Sequence, residues 1–343
     1  MISYMKMAIF GATGQVGSVM LKILAESKLD IDELRLFASP KSVGKEIVFQ
    51  DEKLQVENAD CGDYEGIDIA LFSCGKSASL ELATKVAAAG AIVIDNSSAW
   101  RMDDDVPLVV PEVNPHALEN LKKNIVANPN CTTMIAMPVL APIRDAVGIK
   151  RVIVTSFQAV SGAGVAGVEE LRTQIQAVGD KAALLTFSKE AVAMPDPEVF
   201  RDNIAYNVVP FAGALAGDGS GETDEEQKWR NESRKILDLP NLLVDCVCVR
   251  VPVFTGHSLS LHLELENDLD PEDAKKLLQE AKSVVLAEIP TPLMAAGKNP
   301  SFVGRIRRDS STKNGLTMFV SGDNLRKGAA LNTIQIAEVL ANL

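Results

Sequence analysis

Residues 6–27 read KMAIFGATGQVGSVMLKILAES, an apolar strand, a glycine-rich turn and an amphipathic helix in direct succession. Gly11, Gly14 and Gly17 form a GxxGxxG pattern rather than GxGxxG. Glycines in such a turn allow a tight bend, close approach of the backbone to a pyrophosphate and close packing of helix on strand. Three glycines alone are weak evidence, but their place between a strand and a helix favours a dinucleotide site over a plain βα turn.

The next strand, ELRLFAS (residues 33–39), ends where the adenosine ribose of a dinucleotide is expected. NAD sites usually place an Asp or Glu there, which accepts a hydrogen bond from the ribose 2′-hydroxyl. This strand instead leads into Ser39, Lys41 and Ser42, two hydroxyls and a cation without a carboxylate. That set suits a 2′-phosphate, so we predict NADP rather than NAD. The alternative is a polar surface loop that contains a lysine.

Strands and helices continue to alternate through residues 67–101. IDIALFSCGKSAS (67–79) is a strand that runs into small polar residues, a helix follows through residues 80–89, and GAIVIDNSSAWR (90–101) is another strand. This alternation predicts a Rossmann-like, doubly wound parallel sheet with ligands at the carboxyl ends of its strands. Cys74 lies at such an end, and we interpret it as packing beside the cofactor.

A cysteine follows the next strand, in NIVANPNCTTM (residues 124–134). The apolar run behind it indicates a buried helix, although Pro138 and Pro142 argue for bends. Cys131 should therefore lie at or near the first helical turn, where unpaired backbone N–H groups and the helix dipole favour a thiolate. The alternative is a buried structural cysteine. Position alone does not choose between the two.

After Gly148 the pattern changes to long β-rich segments. They lie at residues 150–164, 242–266 and 301–324, with a helical pattern at 167–185, and predict a second, α+β domain. The last segment, 325–343, has the pattern of an amphipathic helix and should pack back onto the nucleotide domain.

The sequence contains only three histidines. His116 follows Asn-Pro and is interpreted as the start of a surface helix, and His262 lies in mid-strand, where a structural role is expected. His257 follows Gly256 at the start of a strand, where a side chain can face a cleft. It is therefore the candidate acid/base.

Composition limits the class of protein. A length of 343 residues suggests two domains, and a net charge of −12 argues against nucleic acid while leaving small anionic substrates open. Five cysteines without framework spacing suggest a reducing compartment, and the CxC at Cys246 and Cys248 is unlike a zinc knuckle, so no metal is expected. We find neither a signal-peptide pattern nor a segment long enough to span a membrane, and predict a cytoplasmic protein.

Four motifs together resemble aspartate-semialdehyde dehydrogenases: NPNCTT (128–133), FQAVSGAG (157–164), RVPV (250–253) and GHS (256–258), in this order. The resemblance extends from the first glycine turn to the C-terminal helix. It implies NADP-dependent reductive dephosphorylation of aspartyl phosphate to the semialdehyde through a cysteine thioester, on the route to lysine, threonine and methionine. It also implies a homodimer.

The implied second domain is a catalytic and dimerisation domain of the glyceraldehyde-3-phosphate-dehydrogenase-like type. We expect residues 1–130 and 323–343 to bind NADP, and residues 131–322 to provide catalysis and dimerisation.

The resemblance implies roles for individual residues. Cys131 corresponds to the family's nucleophile, Gln158 to the residue that orients substrate, His257 to the acid/base and Arg250 to the arginine that binds the substrate carboxylate. Arg250 should face away from Val249 and Val251, either as a solvated sheet residue or as that carboxylate-binding arginine. Residues at substrate and phosphate positions are Arg101, Asn130, Glu225 and Lys228. Residues at cofactor positions, beside those of the ribose loop, are Gly11, Thr13, Gly14, Gln15, Val16, Ser161, Gly162 and Asn324.

Two departures from the family pattern are visible. Lys41-Ser42 stands where the family often has Arg-Ser, which keeps the charge but loses a bidentate fork. Gly75-Lys76 replaces the usual Gly-Gly, a change that bears on the nicotinamide side of the cofactor site.

Three alternatives stay open. N-acetyl-γ-glutamyl-phosphate reductase performs the same chemistry on a longer substrate, but its cysteine motif typically has Gly in place of Asn130. A CoA-thioester reductase of similar fold is a second alternative. A non-catalytic nucleotide-binding homologue would be expected to lose Cys131 or His257, and both are present.

Overall fold

The structure, a computed structural model, describes residues 5–343. The chain divides into two compact units. The first comprises the chain up to Ala141 together with Asn231–Pro240 and Leu325–Leu343, and the second comprises Pro142–Arg230 and Asn241–Asn324. The sequence-based boundaries do not include 231–240 in the first part. The assignment of NADP binding and of catalysis to the sequence-based ranges stays a prediction, because a compact unit does not by itself show a function.

The strands are β1 (Met5–Phe10), β2 (Ile31–Ala38), β3 (Glu46–Phe49), β4 (Glu52–Asn58), β5 (Ile69–Phe72), β6 (Ile92–Asp95), β7 (Ile125–Ala127), β8 (Ile149–Gln158), β9 (Leu243–Arg250), β10 (His257–Leu265), β11 (Val284–Leu286), β12 (Ser301–Asp309) and β13 (Gly315–Gly322). The α-helices are α1 (Gln15–Glu26), α2 (Lys76–Ala88), α3 (Cys131–Val147), α4 (Gly164–Val178), α5 (Asp224–Ile236), α6 (Pro271–Glu280), α7 (Pro292–Ala295) and α8 (Leu331–Leu340).

The first unit contains a seven-stranded sheet in the order β3-β4-β2-β1-β5-β6-β7. Every neighbouring pair is parallel except β3 with β4. The chain moves from β1 to β2 on one side and later returns to β5 on the other, so the order reverses at β1. Ligands of doubly wound sheets bind at the carboxyl ends of strands at such a reversal, which is where the glycine turn lies. The predicted Rossmann-like sheet is confirmed.

The C-terminal helix completes the core of the first unit. Leu331, Ile334 and Leu340 of α8 belong to the same buried apolar cluster as Met20 and Leu24 of α1. Burial of side chains of this size contributes roughly 1.5–3 kcal/mol each, so α8 is an integral part of this core. The predicted packing of the C-terminal segment on the nucleotide domain is confirmed.

The second unit contains a six-stranded mixed sheet in the order β11-β12-β13-β10-β8-β9. β10 is antiparallel to both β8 and β13, whereas β8 and β9 are parallel. The predicted α+β character is confirmed. The register places Gln158 beside Arg250 at the ends of β8 and β9 and begins β10 at His257. Three predicted site residues therefore lie together where β8 and β9 end and β10 begins.

One helix is shorter than the sequence pattern suggests. The pattern predicts a helix over residues 167–185, but α4 ends at Val178 and Gly179 has a φ of +50°. A glycine in the left-handed region at this position is a common helix terminator. The chain continues from Gly179 as a 3₁₀ segment to Thr186.

Candidate active site

In the glycine turn of the first unit, two positions have no space for a side chain. Gly11 has a φ of +89°, and a Cβ there would lie 2.3 Å from the carbonyl oxygen of Ser73. A Cβ on Gly17 would lie 2.3 Å from the Gly11 carbonyl oxygen. Gly14 precedes α1 without a side-chain cap on the helix N–H groups. Those N–H groups suit a pyrophosphate, so the turn fits a dinucleotide.

Two further features of the turn fit a dinucleotide site. The Thr13 hydroxyl donates to the Ser42 hydroxyl at 3.4 Å, which brings the glycine turn and the predicted ribose loop together. Lys41 and Ser39 are exposed beside it. The Gln15 side-chain oxygen is buried and has no hydrogen-bond partner among residues 5–343. Val16, also predicted to contact the cofactor, packs against the core of the unit.

Cys131 is the first residue of α3. The Asn130 side-chain oxygen accepts from the Thr132 N–H at 3.0 Å and from the Thr132 hydroxyl at 2.7 Å, so Asn130 caps the helix. The Cys131 Sγ lies 4.0 Å from the same oxygen. A partly exposed thiol at a helix N-terminus has the surroundings of a reactive cysteine.

Cys74 has different surroundings. Burial, together with the nearby Asp95, raises the pKa of the Cys74 thiol to about 12. It is therefore a protonated thiol at neutral pH and a poor nucleophile, in agreement with the packing role predicted for it.

Arg101 is held by a residue that the sequence reasoning missed. Its Nη1 pairs with Glu232 at 2.9 Å and its Nη2 donates to the Asn96 carbonyl oxygen at 2.7 Å. The second carboxylate oxygen of Glu232 accepts from the Asn130 N–H at 2.6 Å. Glu232 lies four residues after Lys228 in DEEQKWRNE, on the same helix face, which is a signal that could have singled it out.

A second missed residue is Gly328, in the π-helical turn Arg326–Ala330 that precedes α8. A Cβ on Gly328 would lie 2.8 Å from the Cβ of Cys131. The neighbouring Lys327 is fully buried and pairs with Glu112 at 2.7 Å. A larger residue at 328 would therefore displace Cys131, and no local sequence signal links the two positions.

In the second unit, Gln158 and Lys228 are joined through Glu225. Gln158 donates to one Glu225 oxygen at 3.1 Å, and Lys228 donates to the other at 2.9 Å and to Asp224 at 2.5 Å. Burial lowers the pKa of Lys228, but the charges of Glu225 and Asp224 prevail and raise it to about 12. Lys228 is therefore a permanent cation, as phosphate binding requires.

Arg250 and His257 are both anchored to Ala159. Arg250 donates to the Ala159 carbonyl oxygen at 2.7 Å, and the Ala159 N–H donates to His257 Nδ1 at 2.9 Å. Arg250 is only 6% exposed, which excludes the solvated-sheet interpretation. A Cβ on Gly162 would lie 2.9 Å from Arg250 Nη1 and 3.2 Å from His257 Nε2, so a side chain there would shift the Arg250 guanidinium.

His257 is completely buried, and burial, together with the charge of Arg250, lowers its pKa to about 3. Its Nε2 has no hydrogen-bond partner among the residues that the structure describes. The ring is therefore neutral at physiological pH. A neutral ring whose Nδ1 accepts a hydrogen bond carries its proton on Nε2.

Ser161 and Asn324 hold the chain immediately before His257. Asn324 donates to the Ser161 hydroxyl at 2.9 Å and accepts from the Gly256 N–H at 2.9 Å. These two predicted cofactor residues therefore lie close together. Their contact with a cofactor stays a prediction.

The remaining histidines have the predicted structural positions. His262 Nδ1 lies 3.1 Å from an Asp309 oxygen, on the sheet of the second unit. His116 is exposed in the 3₁₀ turn Pro115–Leu118.

The predicted site residues divide between the two units. Those in the first unit are Gly11, Thr13, Gly14, Gln15, Val16, Ser39, Lys41, Ser42, Arg101, Asn130 and Cys131. Those in the second unit are Gln158, Ser161, Gly162, Glu225, Lys228, Arg250, His257 and Asn324. Residues 5–343 contain no group of three or more His, Cys, Asp or Glu side chains that could hold a metal ion. None of the helices described is both long and apolar enough to cross a membrane.

Two family models match the chain. Residues 6–121 match the semialdehyde dehydrogenase NAD binding domain, and residues 140–327 match the semialdehyde dehydrogenase dimerisation domain.

Whole-chain relatives agree with these matches. An aspartate-semialdehyde dehydrogenase of Streptomyces akiyoshiensis is 56% identical, with 98% of each chain covered. That of Bacillus subtilis is 44% identical, with 98% of this chain and 97% of the relative covered. The crystal structure of aspartate semialdehyde dehydrogenase II from Vibrio cholerae, complexed with ASA, superposes with a TM-score of 0.92 at 42% identity, covering 99% of each chain.

Proposed function

The chain belongs to the aspartate-semialdehyde dehydrogenase family and has its enzyme activity, in amino-acid biosynthesis, and we propose that it works through a thioester on Cys131 with NADPH as reductant. The reaction is the reductive dephosphorylation of L-aspartyl-4-phosphate to L-aspartate 4-semialdehyde, on the route to lysine, threonine and methionine. The observation that carries the mechanism is the position of Cys131 as first residue of α3, behind an Asn130 cap. Residues 1–130 with 323–343 would bind NADP, and 131–322 would provide catalysis and dimerisation.

The assay for this function is reduction of NADP by aspartate semialdehyde with purified protein. We expect the reduction to depend on inorganic phosphate, because phosphate releases the acyl group from the enzyme. Robust phosphate-independent reduction at steady state would contradict the proposal. N-acetyl-glutamate semialdehyde tested in parallel distinguishes the longer-substrate alternative.

The first step is displacement of phosphate by the Cys131 thiolate. The carbon–sulfur bond forms, the bond between the acyl carbon and the phosphate oxygen breaks, and phosphate leaves and takes up a proton from solvent. The N–H groups at the start of α3 favour the thiolate through the helix dipole. An N–H donor aimed at a tetrahedral oxyanion contributes roughly 3–4 kcal/mol in enzymes that use one.

The second step reduces the thioester. NADPH, when bound, supplies the hydride, and the glycine turn with Thr13, Gln15 and the ribose loop would hold it. The hemithioacetal oxyanion on Cys131 then collapses: the carbon–sulfur bond breaks, and the products are the aldehyde and a thiolate. Because the thiolate is regenerated directly, no base is needed to deprotonate Cys131 in later turnovers.

His257 is suited to donate a hydrogen bond rather than to accept a proton. With Nδ1 engaged by the Ala159 N–H, the proton of the neutral ring is on Nε2, and no free lone pair is left for a thiol proton. A buried N–H donor stabilises an oxyanion that develops on the substrate. We therefore propose that His257 is the hydrogen-bond donor to the tetrahedral species.

We predict that the His257 ring stays neutral, with its proton on Nε2, between about pH 5 and pH 8. Its folded-state pKa of about 3 lies below the ordinary histidine value, so only the unfolded chain takes up a proton as pH falls in this range. Burial of His257 therefore lowers stability towards acid pH. Long-range ¹H–¹⁵N spectra of histidine-labelled protein report the tautomer, and His257→Asn assigns the signal. An Nδ1–H ring or an imidazolium at neutral pH would refute the donor role.

The substrate's charges have matching partners. Arg101, Asn130 and Lys228 would bind the phosphoryl group, and Arg250 would bind the carboxylate through its fork-shaped guanidinium. Gln158, held by Glu225, would orient the acyl group. Lys228 is not a solvated surface cation, because its ammonium is largely buried between two carboxylates.

We predict that NADP is used well ahead of NAD, because Ser39, Lys41 and Ser42 replace the ribose-binding carboxylate. The measurement is kcat/KM for each cofactor. Lys41→Ala should lower the NADP value and leave the NAD value unchanged, because only NADP carries the 2′-phosphate. A wild-type ratio near one, or one that favours NAD, would show that the loop was misinterpreted.

We also predict a homodimer. The register of β8 and β9 places Ile153, Val247 and Leu243 on one face of the sheet, where each is at least 38% exposed. Exposed apolar side chains on one face of a sheet support association with a second copy. Sedimentation at micromolar concentration should show a dimer, and Val247→Asp should shift it towards monomer. A wild-type monomer would count against the proposal. All five cysteines lie within residues 5–343 and none of them forms a disulfide, which supports a reducing, cytoplasmic location.

A further inference from the structure

Two side chains of the segment Asn231–Pro240 bind the segment that contains Arg101, within the first unit. Glu232 pairs with the Arg101 guanidinium, with only 1% of its side chain exposed. Lys235 donates to three backbone carbonyl oxygens: those of Arg101 at 3.0 Å, Asp103 at 2.8 Å and Val106 at 2.8 Å. Residues three apart share a face of a helix, so both act on the same segment.

Glu232 also reaches the segment of the nucleophile. Its Oε2 accepts from the Asn130 N–H at 2.6 Å, one residue before Cys131. A buried carboxylate is costly unless it is paired and hydrogen-bonded, and both of its oxygens are satisfied here. One carboxylate therefore fixes the distance between Arg101 and the start of α3.

Arg101 retains a donor for a ligand. Nη1 and Nη2 are engaged by Glu232 and by the Asn96 carbonyl oxygen, but Nε is buried and has no hydrogen-bond partner within residues 5–343. Guanidinium N–H groups are well suited to phosphate oxygens. The pair with Glu232 sets the plane of the guanidinium, and hence the directions of its remaining N–H groups, that of Nε among them.

We propose that Glu232 and Lys235 are positioning residues for the phosphate site: they hold Arg101 in the orientation that binds phosphate and keep it in register with Cys131. Neither residue touches the substrate. The inference rests on the proposed phosphate role of Arg101. It assigns a function to a short segment that joins the first unit from a distant part of the chain.

The test is steady-state kinetics of Glu232→Gln in the phosphorylating direction. The amide keeps the size of the side chain but loses the charge that orients Arg101, so the KM for inorganic phosphate should rise roughly tenfold or more. The KM values for aspartate semialdehyde and NADP should not change. Glu222→Gln is the matched control, because it removes a carboxylate that pairs with Arg230 in the second unit. Its phosphate KM should equal that of the wild type.

Arg101→Lys, measured in parallel, distinguishes the phosphate-binding role of Arg101 from the positioning role of Glu232. If it raises the phosphate KM and Glu232→Gln does not, the positioning role is refuted and the role of Arg101 stands. If Arg101→Lys leaves the phosphate KM unchanged, both the phosphate-binding role of Arg101 and the positioning role of Glu232 are refuted. If Glu232→Gln raises all three KM values equally, its role is only structural and the inference is overturned.

Lys235→Met provides the second variant if Glu232→Gln does not fold, as judged by a thermal melt. Loss of three hydrogen bonds to the Arg101 segment should raise the phosphate KM selectively. A folded Lys235→Met protein with the wild-type phosphate KM would overturn the proposal.

Discussion

Replacing Cys131 with serine should abolish the dehydrogenase reaction while NADPH binding survives. The serine hydroxyl remains protonated at neutral pH, so the helix N-terminus has no thiolate to stabilise. Removing a covalent nucleophile lowers kcat by roughly 10⁶-fold in a well-studied protease, and we expect a loss of at least about 10³-fold. The measurements are kcat with aspartate semialdehyde, and fluorescence titration with NADPH.

Cys74→Ser is the matched control for this prediction. Cys74 is also in the first unit, but burial and Asp95 raise the pKa of its thiol to about 12, so it is a thiol and not a thiolate. We expect a mild effect. Near-wild-type turnover of Cys131→Ser would remove Cys131 from the nucleophile role.

Arg250→Lys should raise the KM for aspartate semialdehyde and lower kcat. The guanidinium donates to the Ala159 carbonyl oxygen while its Cζ lies 5.7 Å from the Phe200 ring centroid, which leaves its fork in a fixed orientation. A lysine keeps the charge but cannot make that contact and bind a carboxylate with two parallel hydrogen bonds. Loss of a buried charge-assisted pair commonly costs roughly 2–5 kcal/mol.

The control for Arg250→Lys is Arg308→Lys, which alters an exposed arginine paired with Asp268. Exposed pairs contribute little, so its kinetics should match those of the wild type. Thermal melts of both variants establish that they are folded. Unchanged kinetics in a folded Arg250→Lys protein would rule out the carboxylate-binding role.

The sequence was sufficient for features that depend on local pattern. The βα turn at Gly11 and the start of a helix at Cys131 both follow from residues adjacent in the chain. Glycine turns, asparagine caps and the spacing of hydrophobic residues depend on positions within one or two turns of backbone. Their structural consequences can therefore be predicted from the sequence.

Features that depend on distant pairings could not be predicted in this way. Glu232 and Arg101 are separated by 131 residues, and nothing in either motif indicates that they pair. The tautomer of His257 depends on the Ala159 N–H, 98 residues away, although the sequence did single out His257 among the histidines. Alternation alone did not reveal that Arg250 is buried along with its neighbours Val249 and Val251.

The most direct test of the thioester mechanism is rapid mixing of the enzyme with aspartate semialdehyde and NADP in the absence of phosphate. We predict a burst of about one NADPH per active site, because the acyl-enzyme accumulates when phosphate cannot release it. Peptide mapping of the quenched enzyme should find the aspartyl group on Cys131, and added phosphate should restore turnover. No burst, or an adduct on a different residue, would contradict the mechanism.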